Sequence, residues 1–235
     1  MTNAFVFGNG RSRIPYDVNI LRQYGTIIGC NNAYLDLDPD ILVSVDKPMI
    51  DIILDSNYNN DFYIPKNIHD QFYFQRKDIK YFDTQCPGIV DSGNFALMIA
   101  AQTHKTIYML GFDYISKNRF TNNVYAGFNN YKQKHQIHVL PESEMNWYNK
   151  LAITIARYDC QFVRVNTNDY VPPTSWHNFK NISITEFLKL YPNSYDTAMS
   201  IGPGFTEEEL LELKKPKISD HFNRMNNAPT IYIKK

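Results

Sequence analysis

The sequence predicts an α/β fold, Rossmann-like, with a mainly parallel sheet and helices on both faces. Five short apolar runs of strand length, Ala4 to Phe7, Thr26 to Cys30, Ile41 to Val45, Thr106 to Leu110 and Gln161 to Val165, recur between helix-patterned segments. Each run is followed at once by Gly, Asn or Asp. The stretch from Ile89 to Tyr114 reads as turn, buried helix, buried strand and acidic loop, and a helix joined to a strand by so few residues is half of a βαβ crossover. Sheets built from such units hold ligands outside the carboxyl ends of their strands.

A chain of 235 residues with 43% apolar content fills one large α/β domain with embellishments. Lys plus Arg and Asp plus Glu both number 24, so no net field draws nucleic acid or an anionic membrane, and a role on modified DNA bases gains no support. Cys30, Cys86 and Cys160 are odd in number and lack C-x-x-C spacing, which reads as buried free thiols in a reducing cytoplasm rather than disulfides or a zinc site. No apolar run has membrane-spanning length, and a first strand starting almost at Met1 leaves no room for a signal peptide; a cytoplasmic location is the expectation. The 17 Tyr and 15 Phe read as core and rim packing.

Taken in order, Gly8-Asn-Gly-Arg-Ser-Arg13 is a glycine turn between the first strand and a helix that Pro15 opens and that runs to about Tyr24. Turns at this place cradle phosphates in α/β folds, although this one is too short for G-x-G-x-x-G and lacks the P-loop Lys. Asn31-Asn32 ends the second strand, with amides that both donate and accept. Asp36-Leu-Asp38-Pro-Asp40 has the D-x-D form of a metal site, but Pro39 and the strand after it make it a loop leading into that strand. Asp46 ends the third strand, and Pro48 stands in the first turn of a helix through about Leu54. Residues 56 to 88 carry short strands at Asp61 to Ile64, Gln71 to Gln75 and Ile79 to Phe82.

Asp91 or Ser92 caps the next helix, whose Phe95 to Ala101 is apolar on nearly every face and must be covered on more than one side. Gly111-Phe-Asp113 closes the following strand. Residues 115 to 140, polar and without periodicity, read as a lid segment ending in His135 and His138. Glu142 to Tyr158 is a helix with Tyr148, Leu151, Ala152 and Ile155 on one face. Beyond Tyr170 the pattern weakens to a loop at Pro172-Pro173, a short helix from Ile184 to Tyr191, a capped helix from Thr206 to Lys215, and a tail from Asn223 that is a peripheral strand or loosely held. The expected division is residues 1–169 as the ligand-binding domain and 170–235 as an extension packed on it.

In a parallel sheet Gly8 to Ser12, Asn31-Asn32, Asp46, Ser92 to Asn94 and Gly111 to Asp113 fall on one rim. Two helix N-termini with glycine turns suit a phosphate, and the Asn amides suit a base or ribose edge. The rim reads as a nucleotide site.

The series Gly8-Asn-Gly-x-Ser12, Ile28-Gly-Cys-Asn-Asn32, Pro39-Asp-Ile-Leu-Val-Ser-Val-Asp46, Ser92-Gly-Asn-x-Ala-Leu97 and Ile107-Tyr-Met-Leu-Gly-x-Asp113 resembles the core shared by bacterial sialyltransferases of the Campylobacter type, the motility accessory factor glycosyltransferases and the related pterin diphosphokinase-like proteins. It spans roughly residues 3 to 165. The resemblance implies a nucleotide-binding Rossmann-like domain and a CMP-linked sugar donor. It further implies that Gly8, Asn9, Gly10 and Ser12 hold the donor phosphate region, Asn31 the nucleotide or sugar, and Ser92-Gly93 the ribose and phosphate; Arg11, Asn32, Asn94, Gly111 and Asp113 are further substrate-binding candidates on the same rim. His138 takes the place of the catalytic base, and Tyr114, with Tyr125 or Tyr131, that of the phosphate-binding tyrosines. Two positions depart from the sialyltransferase pattern: Asp46 stands for Asn, and Val90-Asp91 for the Arg before the Ser-Gly turn. The reaction so implied is metal-independent inverting transfer of a sugar to a glycan or other hydroxyl acceptor, without a cofactor. The alternatives are Mg²⁺-dependent diphosphokinase-like transfer using Asp46 and Asp113, and a non-catalytic nucleotide-binding module.

Overall fold

The computed structural model describes residues 2–72, 79–84, 90–113, 123–128, 131, 141–166 and 175–196. Eight strands form one sheet: β1 (Asn3–Phe7), β2 (Gly25–Cys30), β3 (Ile41–Val43), β4 (Asp61–Pro65), β5 (Ile79–Phe82), β6 (Thr106–Leu110), β7 (Gln161–Asn166) and β8 (Phe179–Ser183). Their order across the sheet is β5-β4-β3-β2-β1-β6-β7-β8, and every neighbouring pair is parallel. The helices are α1 (Val18–Arg22), α2 (Lys47–Leu54), α3 (Lys66–Phe72), α4 (Ser92–Ala100), α5 (Pro141–Arg157) and α6 (Ile184–Leu190). From β1 the chain winds outward through β2, β3, β4 and β5, then returns to β6 on the other side of β1 and winds the opposite way. The switch point of the sheet is therefore the pair β1/β6.

Alternation along the strands divides the core. In β1, Ala4 and Val6 face one layer with Ile28, Val43, Ile107 and Met109, covered by α4 and by Leu151 and Ile155 of α5. Phe5 and Phe7 face the other, with Tyr108, Leu110, Val163 and the α6 residue Phe187. The α4 residues Phe95 to Ala100 are all buried, with the sheet on one side and α5 on the other, as a helix apolar all round requires. A third cluster joins Met49, Ile50 and Ile53 of α2 to Leu42, Phe62 and Ile64 of the outer strands.

Local chemistry moves some boundaries from those expected. Pro15 does not open α1; Asp17 does, its carboxylate accepting from the Asn19 and Ile20 amides at 2.9 and 3.2 Å. Between β1 and α1 the chain makes a single 3₁₀ turn, Arg11–Arg13. β3 stops at Val43, and Gln71 and Phe72 finish α3, whose turn carries a Lys66–Asp70 pair, instead of opening a strand; residues 73–75 lie outside the described residues. β8 was not foreseen. Only Phe179 of its five residues is fully buried, so an edge strand with one anchoring side chain shows no clear alternation. The sheet thus continues past residue 169 through β8 into α6, which a Ser183–Glu186 capping box starts. The expected helix from Thr206 and the tail from Asn223 lie outside the described residues.

At the switch point the turns after β1 and β6 touch through backbone. The Gly8 amide donates to the Leu110 carbonyl and the Gly10 amide to that of Gly111, both at 2.8 Å. Gly111 has φ +71, and a Cβ there would stand 2.7 Å from the Gly8 carbonyl oxygen; a Cβ on Gly10 would stand 2.4 Å from that of Gly111. These glycines are required by the fit of one turn into the other. Gly111→Ala is expected to lower unfolding free energy by more than ~2 kcal/mol, since the left-handed backbone alone costs roughly 1–2 kcal/mol in a residue with a Cβ. Urea unfolding monitored by circular dichroism measures it, and a loss below ~0.5 kcal/mol would contradict the account.

Candidate functional site

The carboxyl ends of β1, β2, β3 and β6 and the N-termini of α2 and α4 meet in one crevice. Its seam is the Gly8–Gly111 contact, fixed further by Asp113. This buried carboxylate accepts from the Ser12 amide at 3.0 Å and, through its other oxygen, from the Ser12 hydroxyl. Arg164, 1% exposed, donates Nε–H to the Phe112 carbonyl at 2.8 Å and holds the same turn from β7. Gly8, Gly10, Ser12, Gly111 and Asp113 thus form one unit whose amides at Gly8, Gly10 and Ser12 already have protein acceptors. Arg11 begins the 3₁₀ turn beside them.

Asn31 is the hub of the crevice floor. It sits at φ +54, a conformation that Asn tolerates better than most residues, and is 8% exposed. Its Oδ1 accepts from the Ser44 and Ser92 hydroxyls, both at 2.9 Å, and its Nδ2 donates to the Tyr131 hydroxyl at 2.8 Å. Asn9 also donates to Tyr131, at 3.0 Å, while its Oδ1 lies 3.7 Å from the Cys30 thiol. One amide side chain so joins the ends of β2 and β3, the start of α4 and a residue of the 115–140 segment. Asn32 is fully buried behind it.

Burial raises Cys30, pushing its thiol up to about 12; Arg13 opposes this and the Asp91 and Asp46 charges add to it. Burial thus favours the neutral thiol at Cys30. Burial likewise raises Tyr131, so its hydroxyl stays protonated as a donor.

The α4 end is built on Asp91, whose carboxylate caps the helix by accepting from the Asn94 amide at 2.8 Å and holds the Asn94 side chain at 2.9 Å. Lys150 Nζ from α5 stands 3.8 Å from Asp91, and the Thr154 hydroxyl, one turn on, donates to Asn94 Oδ1 at 3.4 Å. A Cβ on Gly93 would meet the Phe112 ring at 3.3 Å and Asp91 at 3.4 Å. Gly93 therefore faces packed protein, and a bulky residue there would disturb the cap and Phe112 before it reached a ligand.

Within the 115–140 segment, residues 123–128 and Tyr131 lie against the β1 turn. The Val124 amide donates to the Asn9 carbonyl at 2.8 Å. Tyr125 is buried, its hydroxyl donating to Asp36 and accepting from Arg13. Arg13, 3% exposed, pairs with Asp36 at 2.7 Å. Asp36, from the D-x-D series, thus ties loops together, and Asp40 caps the Ile27 amide at 2.8 Å. Tyr114 and His138 lie outside the described residues. Among the described residues no group of three or more His, Cys, Asp or Glu is arranged to hold a metal ion. No described helix is long and apolar enough to cross a membrane.

Sequence reasoning did not single out Ser44, Lys150, Arg13 or Asp36 as site residues. Ser44 follows a shortened strand, and Lys150 and Thr154 share an i, i+4 face of α5, a spacing legible in sequence; the partners of Arg13 and Asp36 come from distant segments and left no local signal.

No protein-family model and no curated protein matches the sequence. Among solved structures the chain is similar to the monofunctional alpha-2,3-sialyltransferase Cst-I from Campylobacter jejuni, at 15% identity over 96% of this chain and 94% of that one, with a TM-score of 0.51. An alpha-2,3-sialyltransferase from Campylobacter jejuni in apo form is similar at 16% identity over 96% and 95%, with a TM-score of 0.46. The sialyltransferase CstII from Campylobacter jejuni in complex with CMP-3FNeuAc is similar at 16% identity over 70% and 80%, with a TM-score of 0.42. At these identities the likeness is one of fold.

Asp46, at the N-terminus of α2, is exposed overall, with its carboxyl partly screened from solvent by its neighbours. A helix N-terminus ordinarily favours a carboxylate, but burial, and next the Asp91 charge, raise Asp46 above the usual Asp range, with Lys150 opposing. An acid whose folded value is raised ionises first in the unfolded chain, so its charge costs stability as pH rises through that interval. Asp46→Asn is therefore expected to raise the melting temperature at pH near 7, with the gain vanishing as pH falls below the ordinary Asp value of about 4. Thermal unfolding across that range tests it; a gain independent of pH, or a loss at neutral pH, would contradict the assignment.

Proposed function

We propose that the chain is a glycosyltransferase that moves a sugar from a CMP-type nucleotide donor to an acceptor hydroxyl by metal-independent inverting displacement. The observation that carries the reading is the convergence at the β1/β6 switch point: two helix N-termini, the Asn9–Asn31 amides and a protonated Tyr131 hydroxyl line one crevice, the place where open parallel sheets bind nucleotides. The fold shared with a sialyltransferase and the ordered motif series support the same reaction class.

In this reading the acceptor oxygen attacks the anomeric carbon while the bond from that carbon to the donor phosphate oxygen breaks, and CMP leaves with the electron pair. Tyr131 and Arg11 donate to the departing phosphate, where charge develops. His138, which precedes α5, takes the acceptor proton. The Asp46–Asp91 pair beside Asn31 places negative charge at the sugar end, so the sugar transferred is better matched by a neutral or amino sugar than by a carboxylated one. Asp113, one of the two carboxylates that a Mg²⁺-dependent phosphoryl transfer would need, gives both oxygens to Ser12, which favours sugar transfer over that reaction.

His138→Ala is expected to lower turnover by a factor of ~10² to 10⁴ while CMP affinity is retained, because the base touches the acceptor and not the nucleotide. Steady-state kinetics with a panel of CMP-sugars, alongside calorimetry with CMP, measures both. Near wild-type turnover in His138→Ala, or activity abolished by EDTA and restored by Mg²⁺, would overturn the mechanism.

A further inference from the structure

Tyr131 reaches Asn9 and Asn31 from a segment with no helix or strand of its own among the described residues, so something outside the crevice must hold it there. The route is visible. Asn123 Oδ1 accepts from the Tyr125 amide at 2.8 Å, the Phe128 amide donates to the Tyr125 carbonyl at 2.9 Å, and the Tyr131 amide donates to the Phe128 carbonyl at 2.9 Å, a series of hydrogen bonds that links Tyr125 to Tyr131. The Tyr125 and Tyr131 rings stack, with centroids 6.1 Å apart and planes at 28°. At its other end Tyr125 is locked into the protein. Its hydroxyl stands between the Asp36 carboxylate and Arg13 Nη2, and the Arg13 guanidinium carbon lies 5.0 Å from its ring centroid.

Arg13 is buried, and Asp36 and Tyr125 are the only hydrogen-bond partners of its guanidinium among the described residues. Burial works against its charge, and the Asp36 and Tyr125 interactions outweigh burial and hold it charged. Taking Tyr125 away leaves a buried cation short of an acceptor, which is costly, so the triad resists opening. At the near end, Tyr131 accepts from both Asn9 and Asn31; with its oxygen so occupied, its own proton has no acceptor among the described residues and is directed by the two amides.

We propose that Tyr125, anchored by the Arg13–Asp36 pair, is a positioning residue that seats the Tyr131 hydroxyl on Asn9 and Asn31 and thereby sets affinity for the donor's nucleotide phosphate. The proposal rests on the nucleotide-binding reading above and adds to it residues that touch no ligand. Tyr125→Phe keeps the ring stack and removes only the hydroxyl.

The test is a double-variant cycle read by calorimetry with CMP: wild type, Tyr125→Phe, Tyr131→Phe and both. Tyr125→Phe is expected to weaken CMP binding by about 5- to 10-fold, the loss of one hydrogen bond's worth of ordering, and to add nothing once the Tyr131 hydroxyl is gone. Amide hydrogen exchange of Val124, Phe128 and Tyr131 is expected to speed up in Tyr125→Phe while that of the β1 and β6 amides stays unchanged. Additive effects on CMP affinity, or unchanged exchange at those three amides, would overturn the proposal. If wild type fails to bind CMP, the nucleotide reading falls, and the exchange data alone decide the positioning role. Asp36→Asn breaks the same anchor from its exposed side and serves where Tyr125→Phe does not fold.

Discussion

The carboxyl edge of the sheet depends on one backbone contact, the fit of the turn after β1 into the turn after β6. With the Gly8 and Gly10 amides bonded to the Leu110 and Gly111 carbonyls, and no side chains between them, the two strands at the switch point stay in register to their ends and open only beyond the glycines. Asp113 then reaches Ser12, and Arg164 grips the Phe112 carbonyl, so the turn is fixed from three directions. A crevice whose walls are set by backbone hydrogen bonds and buried charge is preorganised, and preorganised donors are what a developing phosphate charge requires.

On that frame the floor is assembled by a single amide. Asn31 uses both ends of its side chain, tying Ser44 and Ser92 on one side and Tyr131 on the other, and its left-handed backbone turns it toward all three. Around it the electrostatics are uneven. Asp46 and Asp91 share one side with Lys150 as the opposing cation, whereas Asn9, Asn31 and Tyr131 present neutral donors on the other. In the proposed reading, the nucleotide phosphate is assigned to the donors and the transferred sugar to the side of the acids.

Much of this was legible in the sequence because strand ends announce themselves. Each of the five runs read as strands is mostly apolar and is followed by Gly, Asn or Asp, so the parallel sheet, its rim and the rim residues Gly8, Asn31, Asp46, Ser92 and Gly111 could be placed from local pattern. α4 could be read as doubly covered because Phe95 to Ala100 offers no polar face. What stayed hidden was non-local. The glycines of the first turn suggested room for a ligand, yet the space beside Gly8 and Gly10 is filled by Gly111 and Asp113, a contact across the switch point that no spacing reveals. Asp36 looked like a loop acid and is the counterion of a buried Arg, and the Tyr125 hydroxyl stands between that Arg and Asp36, a meeting of three distant segments. β8 was missed because an edge strand needs only one buried side chain.

The central claim is that a nucleotide occupies the crevice at the β1/β6 switch point. Its most direct measurement is difference electron density from crystals grown with saturating CMP. The account predicts cytidine monophosphate between the turn of Gly8 to Ser12 and the start of α4 at Ser92, with its phosphate within hydrogen-bond distance of the Tyr131 hydroxyl. CMP bound elsewhere on the molecule, or an empty crevice at saturation, would contradict it.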